Sequence, residues 1–280
     1  MKKLRRLLLP LFVAILLGAI TPLSALAATQ PRLGTATSFA VLAGAGITNT
    51  GTTTITGDVG TFPTTSETGF AGVTIAGTNH AGDAVTQGAK NDLVTAYTDA
   101  ANQTPCTTLT TLTGQNLTPG TYCFSSSAGL TGPLTLNGFG VYIFQIGSAL
   151  TTASGSSVLL TNNAQACGVW WQVTSSATFG TGSSFQGTVM ALTSITMTTG
   201  ATLVGRALAR NGAVTMDTNT ITRPAALCSG LATTTGPGLP SSGVPSELLR
   251  EFPFLLVIAL GSGAAAVALG ISSRRRRRNG

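Results

Sequence analysis

The sequence predicts a mostly β fold, a parallel β-solenoid with one long α-helix packed alongside. The first observation is self-similarity: segments that begin at Gly168, Gly187 and Gly205 resemble one another, and a looser copy begins at Gly140. A period of about 20 residues is typical of solenoids, in which each repeat buries its apolar side by stacking on its neighbours. The second observation is a single amphipathic helical pattern upstream of these repeats.

Within each repeat, apolar and polar residues alternate with a period of two, which indicates β-strands. The pattern predicts three inward columns: Phe144, Trp171, Met190 and Leu208 in the first strand, Leu150, Ala177, Ile195 and Val214 in the second, and Val158, Phe185 and Leu203 after a corner. The corner needs a residue with positive φ, which we predict at Gly155, Gly182, Gly200 and Asn219.

Alternation turns hydroxyl side chains outward. The predicted rows are Thr151, Thr178, Thr196 and Thr215 on the second strand, Thr181, Thr199 and Thr218 at the corner, and Ser157, Ser184 and Thr202 on the third strand. Such rows suit recognition of an ordered surface. Threonine and serine also favour exposed strand positions without any ligand, so this simpler interpretation stays open.

One segment, at about residues 82–102, is predicted to be helical. Its apolar positions recur at intervals of three and four: Val85, Ala89, Leu93, Ala96, Tyr97 and Ala100. Asp83 lies in the first turn and Pro105 ends the pattern. We expect the helix to lie on the outward positions of the first strands, namely Ile143, Trp170, Val189 and Ala207 beside Gln145, Gln172, Ala191 and Ala209.

Residues 1–28 are predicted to be a signal peptide. A basic head (Lys2 to Arg6) precedes an apolar stretch (Leu7 to Ile20) and a small-x-small cleavage site, Ala25-Leu26-Ala27. An uncleaved membrane helix is the alternative. The remaining body, about residues 29–230, forms one domain and is expected to be extracellular.

The C-terminal end is predicted to hold the protein at the cell surface through the membrane. Residues 252–271 carry no charge and are long enough to cross a bilayer, and the arginines that follow place the tail, residues 272–280, in the cytoplasm. Residues 231–251 are predicted to be a stalk rich in glycine, proline and serine. Within it, Leu239-Pro-Ser-Ser-Gly243 resembles a sortase sorting signal with Ser242 in place of threonine, so both a sortase partner and a retained membrane anchor are considered.

The positive net charge gives no support for a nucleic-acid partner, and none is expected. Of 15 basic residues, four lie in the signal peptide and five in the final arginine run, which leaves six against eight acidic residues. The net charge of +7 therefore reflects membrane topology, and the exported body is slightly acidic.

Four cysteines in an exported chain predict disulfides, and three pairings are open. We favour Cys106–Cys123, which closes a local loop, and Cys167–Cys228, which ties the chain exit to the repeats. A metal site is not expected, because there is no Cys-x-x-Cys motif and His80 is the only histidine. No cofactor is expected.

Enzymatic activity is also not expected. Polysaccharide-cleaving solenoids need clustered carboxylates, bases or a bound cation. The repeats hold a single acid, Asp217, and the acids Asp83, Asp92 and Asp99 belong to the helix. Asp58 is interpreted as a turn residue, so no catalytic residue is assigned.

The whole body resembles the large microbial ice-binding protein family. The matching stretches are Leu33–Gly44, Thr50–Gly60, the helix, Leu117–Phe124 and Gly205–Thr215. The resemblance implies a right-handed, discontinuous β-solenoid in which N-terminal coils stack near the C-terminal ones. The family's Thr-Ala/Gly-x-Thr/Asn pattern is present as Thr199-Gly-Ala-Thr202 and Thr50-Gly-Thr-Thr53.

The expected function is therefore ice binding by a flat threonine- and serine-rich face, with the ice crystal surface as partner. The alternative is a cell-surface adhesin that binds a glycan or another cell on the same scaffold. Aromatic side chains exposed in a groove would favour the adhesin, and a flat hydroxyl face with few charges would favour ice.

Overall fold

The computed structural model describes residues 28–224. The expected signal peptide up to Ala27, the stalk, the membrane segment, the basic tail and Cys228 lie outside the described residues. The helix α1 spans Ala84–Ala101, and short 3-10 helices span Gly34–Ser38, Phe70–Gly72 and Ala166–Gly168. The strands are β1 (Phe39–Ala43), β2 (Ile47–Thr50), β3 (Thr53–Thr56), β4 (Asp58–Thr61), β5 (Glu67–Thr68), β6 (Val73–Ala76), β7 (Thr107–Thr108), β8 (Asn116–Leu117), β9 (Gly120–Phe124), β10 (Ala128–Leu130), β11 (Pro133–Asn137), β12 (Tyr142–Ile146), β13 (Leu150–Thr152), β14 (Ser157–Thr161), β15 (Val169–Val173), β16 (Ala177–Phe179), β17 (Ser184–Ala191), β18 (Ile195–Met197), β19 (Thr202–Ala209), β20 (Val214–Asp217) and β21 (Thr220–Thr222).

The strands stack in parallel on three faces of a solenoid, as the sequence predicts. The helix face holds β7, β9, β12, β15, the second halves of β17 and β19, β1 and β4, in that order. The ladder face is a separate seven-stranded sheet with the order β10-β13-β16-β18-β20-β2-β5. The third face holds β8, β11, β14, the first halves of β17 and β19, β21, β3 and β6.

Two eight-residue strands, β17 and β19, bend from the third face onto the helix face. The bend occurs at Gly187, where φ is +106°, and at Gly205, which pairs with it. A Cβ atom at Gly205 would overlap the backbone carbonyl of Gly187. Glycine is therefore required there by close approach of two backbones.

The stack does not follow chain order. The N-terminal strands β1, β2 and β3 pair with β19, β20 and β21, the last strands of the described chain. After β6 the chain enters α1 and returns to the opposite end of the stack, where β7 pairs with β9. The discontinuity implied by the family resemblance is confirmed.

The interior is apolar and holds an aromatic stack. Trp171 lies parallel to Phe144 with ring centroids 3.9 Å apart, and it contacts Phe185 at 4.8 Å. The predicted inward columns of the second and third strands are all buried in this core.

The prediction for the first strand is half wrong. Trp171 pairs with Val189 and not with Met190, so Val189 and Ala207 point into the core together with Ala191 and Ala209. Met190 and Leu208 point instead toward the helix. Aligning the repeats on their leading glycines misplaced β15 by one residue, and a one-residue slip exchanges the two faces of a strand.

α1 lies on the helix face, as predicted, and buries Ala89, Leu93, Ala96, Tyr97 and Ala100 against Ile143, Trp170, Met190 and Leu208. The prediction for Val85 is wrong: its side chain is 46% exposed, and Thr86 and Lys90 are buried on the packed side instead. Asp83 caps the start by accepting from the amide of Thr86 at 2.9 Å, and Gln145 Nε2 donates to the terminal carbonyl of Ala100 at 2.9 Å.

Among residues 28–224, no helix combines the length and apolarity needed to cross a bilayer.

Lys90 fastens the helix to the solenoid. Its Nζ donates to the carbonyl of Ala209 at 2.7 Å and to that of Arg210. Burial lowers the pKa of Lys90 to about 8, with a smaller contribution from the nearby charge of Arg210.

This depressed pKa predicts an alkaline gain in stability. Between pH 8 and the unfolded pKa of 10.5 the unfolded chain binds the Lys90 proton and the native chain does not, so the free energy of unfolding rises with pH. At roughly 1.4 kcal/mol per pKa unit the rise amounts to about 3 kcal/mol at most. Urea titrations from pH 7 to 10 should show it in the wild type and not in Lys90→Met. An equal pH dependence in the variant would contradict the assignment to Lys90.

The predicted disulfide Cys106–Cys123 is present and ties β7 to β9, with the two Cα atoms 6.0 Å apart. Cys167 is also disulfide-bonded. Its expected partner, Cys228, stays a prediction.

Candidate functional site

The ladder face carries one threonine on each of six adjacent strands. The predicted row is confirmed in register: Thr151 pairs with Thr178, Thr178 with Thr196, and Thr196 with Thr215. The row continues across the chain discontinuity, because Thr48 of β2 pairs with Thr215 and Thr68 of β5 pairs with Thr48. We call these six residues the threonine ladder.

The ladder hydroxyls are available to water. Within residues 28–224, none of the six threonine Oγ1 atoms forms a hydrogen bond with another protein group. Adjacent strands lie ~4.8 Å apart, so the hydroxyls and methyls repeat at that interval along the stack. The arrangement is a regular, in-register row of side chains that can both bind and order water.

Small residues flank the ladder on the side where the chain enters each strand. The corresponding positions are Gly46, Ser66, Ala149, Ser176, Ser194 and Ala213. Two of the serine hydroxyls are used internally, since Ser176 Oγ accepts from the amide of Ser194 and Ser194 Oγ accepts from the amide of Ala213, each at 3.3 Å. Because the side chains of this flank are small, the ladder threonines project beyond it.

The predicted corner row differs from the ladder because its hydroxyls already have protein partners. Thr181 Oγ1 lies 3.3 Å from Thr198 Oγ1, and both Thr199 and Thr218 donate to the carboxylate of Asp217. Positive φ occurs at Gly155, Gly182 and Gly200, as predicted. In the last corner the residue is Thr218 and not Asn219, so that prediction is wrong.

The third-strand row is also longer than predicted. Ser157, Ser184 and Thr202 pair in register and continue through Thr220, Thr54 and Thr74. The neighbouring outward row is uneven, because Leu159 is 46% and Val204 39% exposed. The third face is therefore less uniform than the ladder face.

Thr48 and Thr68 were not predicted as members of the ladder. Their strands have only four and two residues, and they join the stack out of chain order. The only available signal was the family pattern at Thr50-Gly-Thr-Thr53, which lies beside β2.

Asp58 and Asp83, two acids to which no catalytic role was assigned, have structural partners. His80 Nδ1 lies 2.8 Å from Asp83 Oδ2, and Asp58 Oδ1 accepts from the amide of Thr78 at 2.8 Å. The amide of Thr86 and then His80 hold the pKa of Asp83 below its usual value. Within residues 28–224, no three or more histidine, cysteine or acidic side chains are placed to hold a metal ion.

Comparison with known proteins identifies relatives of the same kind. The family model described as "Ice-binding-like" matches residues 41–222. An ice-binding protein of Nostoc sp. (strain HG1) is 50% identical over 202 residues, which cover 70% of this chain and 75% of that protein.

Solved structures agree. An ice-binding protein from an Antarctic biological consortium shares 47% identity at a TM-score of 0.68, covering 73% of this chain and 96% of that chain. An ice-binding protein from the Antarctic ascomycete Antarctomyces psychrotrophicus shares 40% identity at a TM-score of 0.65, covering 69% and 98%. The chain therefore belongs to the ice-binding-like family.

Proposed function

We propose that this protein binds ice through the ladder face. The observation that supports the proposal is the threonine ladder: six in-register hydroxyls on one sheet, without hydrogen-bond partners among residues 28–224. The names of its relatives, which are ice-binding proteins, also support this function.

The spacing suits a crystalline water surface. Neighbouring strands lie ~4.8 Å apart and outward residues of one strand lie ~6.7 Å apart, so the face presents a two-dimensional grid. Threonine hydroxyls at such points hold water in ordered positions, while their methyl groups discourage disordered arrangements. The corner row suits this role less well, because its hydroxyls already bond to protein groups. The third face suits it less well, because apolar side chains are exposed there.

The direct test is inhibition of ice recrystallisation by the purified full-length protein. We expect activity at low concentration. Absence of activity in a folded sample would contradict the proposal.

Extension of the ladder should raise activity. Gly129 of β10 pairs with Thr151 at the end of the ladder, has ordinary φ, and has no heavy atom within 4 Å of the point that a Cβ atom would occupy. Gly129→Thr should therefore add a seventh threonine and lower the concentration needed for half-maximal recrystallisation inhibition. Leu159→Thr, which adds a threonine to the third face, is the matched control and should leave that concentration unchanged. The reverse order of effects would place the ice contact on the third face.

We further propose that the body is exported and tethered at the cell surface through residues 239–278, by a membrane anchor or by a sortase. The signal-like N-terminus and the uncharged run before Arg274 support this proposal. Truncation before Leu239 should release the protein into the medium, as measured by fractionation of expressing cells. If the full-length chain is released to the same extent, the anchor is refuted.

No observation favours the adhesin alternative. Of the aromatic side chains in residues 28–224, only Phe139 is among the large exposed apolar ones.

A further inference from the structure

Among the six coils that carry the threonine ladder, the corner between the ladder face and the third face is shorter in one coil than in its neighbours. The first outward residue of the third face follows the ladder threonine by six positions in five coils, for example from Thr196 to Thr202 and from Thr48 to Thr54. From Thr215 to Thr220 it follows by five. One residue is therefore missing from this corner, although the strands on both sides keep their register.

The shortened corner lies next to the discontinuity of the chain. Its coil, β20–β21, is the last coil of the described residues, and the next coil in the stack is the N-terminal β2–β3. A shift of one of these two coils relative to the other would break the threonine ladder between Thr215 and Thr48.

Asn219 fills the gap left by the missing residue. In other corners, the carbonyl of the inner residue accepts from a backbone amide of the next coil: Ser156 from Ser184 at 2.9 Å and Ser183 from Thr202 at 2.8 Å. At Ala201 the donor is a side chain, because Asn219 Nδ2 reaches its carbonyl at 2.9 Å. The same Nδ2 also donates to the carbonyl of Thr198 at 2.9 Å.

Asn219 holds its own coil and the following coil as well. Its Oδ1 accepts from the amide of Asp217 at 2.7 Å, and its backbone amide donates to Thr53 Oγ1 at 3.1 Å. Its carbonyl accepts from the amide of Thr54 at 2.9 Å. The residue is only 2% exposed, so these bonds are made without competing water.

We propose that Asn219 is a positioning residue for the ice-binding surface: its side-chain amide replaces the missing peptide unit and keeps the ladder continuous where the N-terminal and C-terminal coils meet. The expected loss of recrystallisation inhibition rests on the proposed function. The expected effect on the coil junction does not depend on that function.

The test uses three variants of the full-length protein. Asn219→Ala removes the amide. Asn219→Ala with a glycine inserted after Thr218 restores the spacing of six positions between the ladder threonine and the third face. The corner then has the sequence Thr-Gly-Ala-Thr, which is found at Thr199–Thr202. Ser183→Ala is the matched control, because Ser183 occupies the inner corner position of another coil and its buried hydroxyl has no partner within the described residues.

Two measurements are made at 4 °C, where circular dichroism reports whether each variant is folded. Asn219→Ala should speed amide exchange in residues 47–56 about tenfold and weaken recrystallisation inhibition by a similar factor, as expected for loss of buried hydrogen bonds. The glycine insertion should restore both values, and Ser183→Ala should change neither. If Asn219→Ala does not fold, recovery of folding by the insertion is the supporting result.

The inference is overturned if Asn219→Ala behaves as the wild type, or if the insertion fails to restore exchange protection. Absence of ice activity in the wild type would refute the proposed function only. Amide exchange would then still decide the role of Asn219.

Discussion

Thr196→Tyr is expected to abolish most of the ice recrystallisation inhibition while leaving the fold intact. Thr196 lies in the middle of the threonine ladder, between Thr178 and Thr215. A tyrosine ring there would stand above the sheet and hold the remaining threonines away from a flat crystal surface. Its effect on the free energy of unfolding should be small, because an outward strand position tolerates an aromatic residue.

The adjacent residue supplies the matched control. Ile195 points inward and is fully buried, so Ile195→Ala should lower the free energy of unfolding by about 2–5 kcal/mol. Ile195→Ala should lower ice activity only in proportion to the fraction of the protein that is unfolded. Full activity in Thr196→Tyr would exclude the ladder face as the ice contact, and the corner and third-strand rows through Thr199 and Thr202 would be tested next.

Gly205→Ala is expected to be among the most destabilising single changes in the chain, with a loss of about 3 kcal/mol or more. The added methyl group would overlap the backbone carbonyl of Gly187, and neither backbone can move without breaking the pairing of β17 with β19. Chemical denaturation would measure the loss.

Gly129→Ala is the control for this prediction. Gly129 has open space around it, so the substitution should change the free energy of unfolding by less than about 1 kcal/mol. Equal effects at the two glycines would show that backbone entropy, and not the close approach at the bend, determines the result.

The second strand was predictable from sequence because its pattern is unambiguous. Apolar residues such as Ile195 alternate with threonine within one repeat, and repeats without insertions keep that phase. The first strand was not predictable to the same degree, since both of its sides are apolar: Trp170 packs on the helix and Trp171 in the core. With two apolar sides, a slip of one residue leaves no mismatch in the pattern.

The helix shows a similar limit. Val85 fits a helical apolar stripe, but the buried position next to it is Thr86, whose hydroxyl and amide lie against the capping carboxylate of Asp83. The burial of Lys90 could not be predicted from the sequence either. Its partners are the backbone carbonyls of Ala209 and Arg210, and any residue type supplies a backbone carbonyl.

The candidate surface was only partly predictable. Four of its threonines lie in consecutive repeats, whereas Thr48 and Thr68 join through pairings between residues far apart in sequence. The shortened corner at Asn219 could be recognised only after the register on both of its sides was known.

The non-sequential stacking of the coils constrains when the protein can fold. A ribosome releases β1 to β6 first, yet β1, β2 and β3 need β19, β20 and β21 as neighbours, and Val41 pairs with Ala207 across 166 residues. Pairings over such distances form slowly, because loop closure precedes any gain from contact. The nascent chain therefore has no complete ladder until Thr215 has emerged, and its first coils lack their neighbours on one side until the last coil has been synthesised.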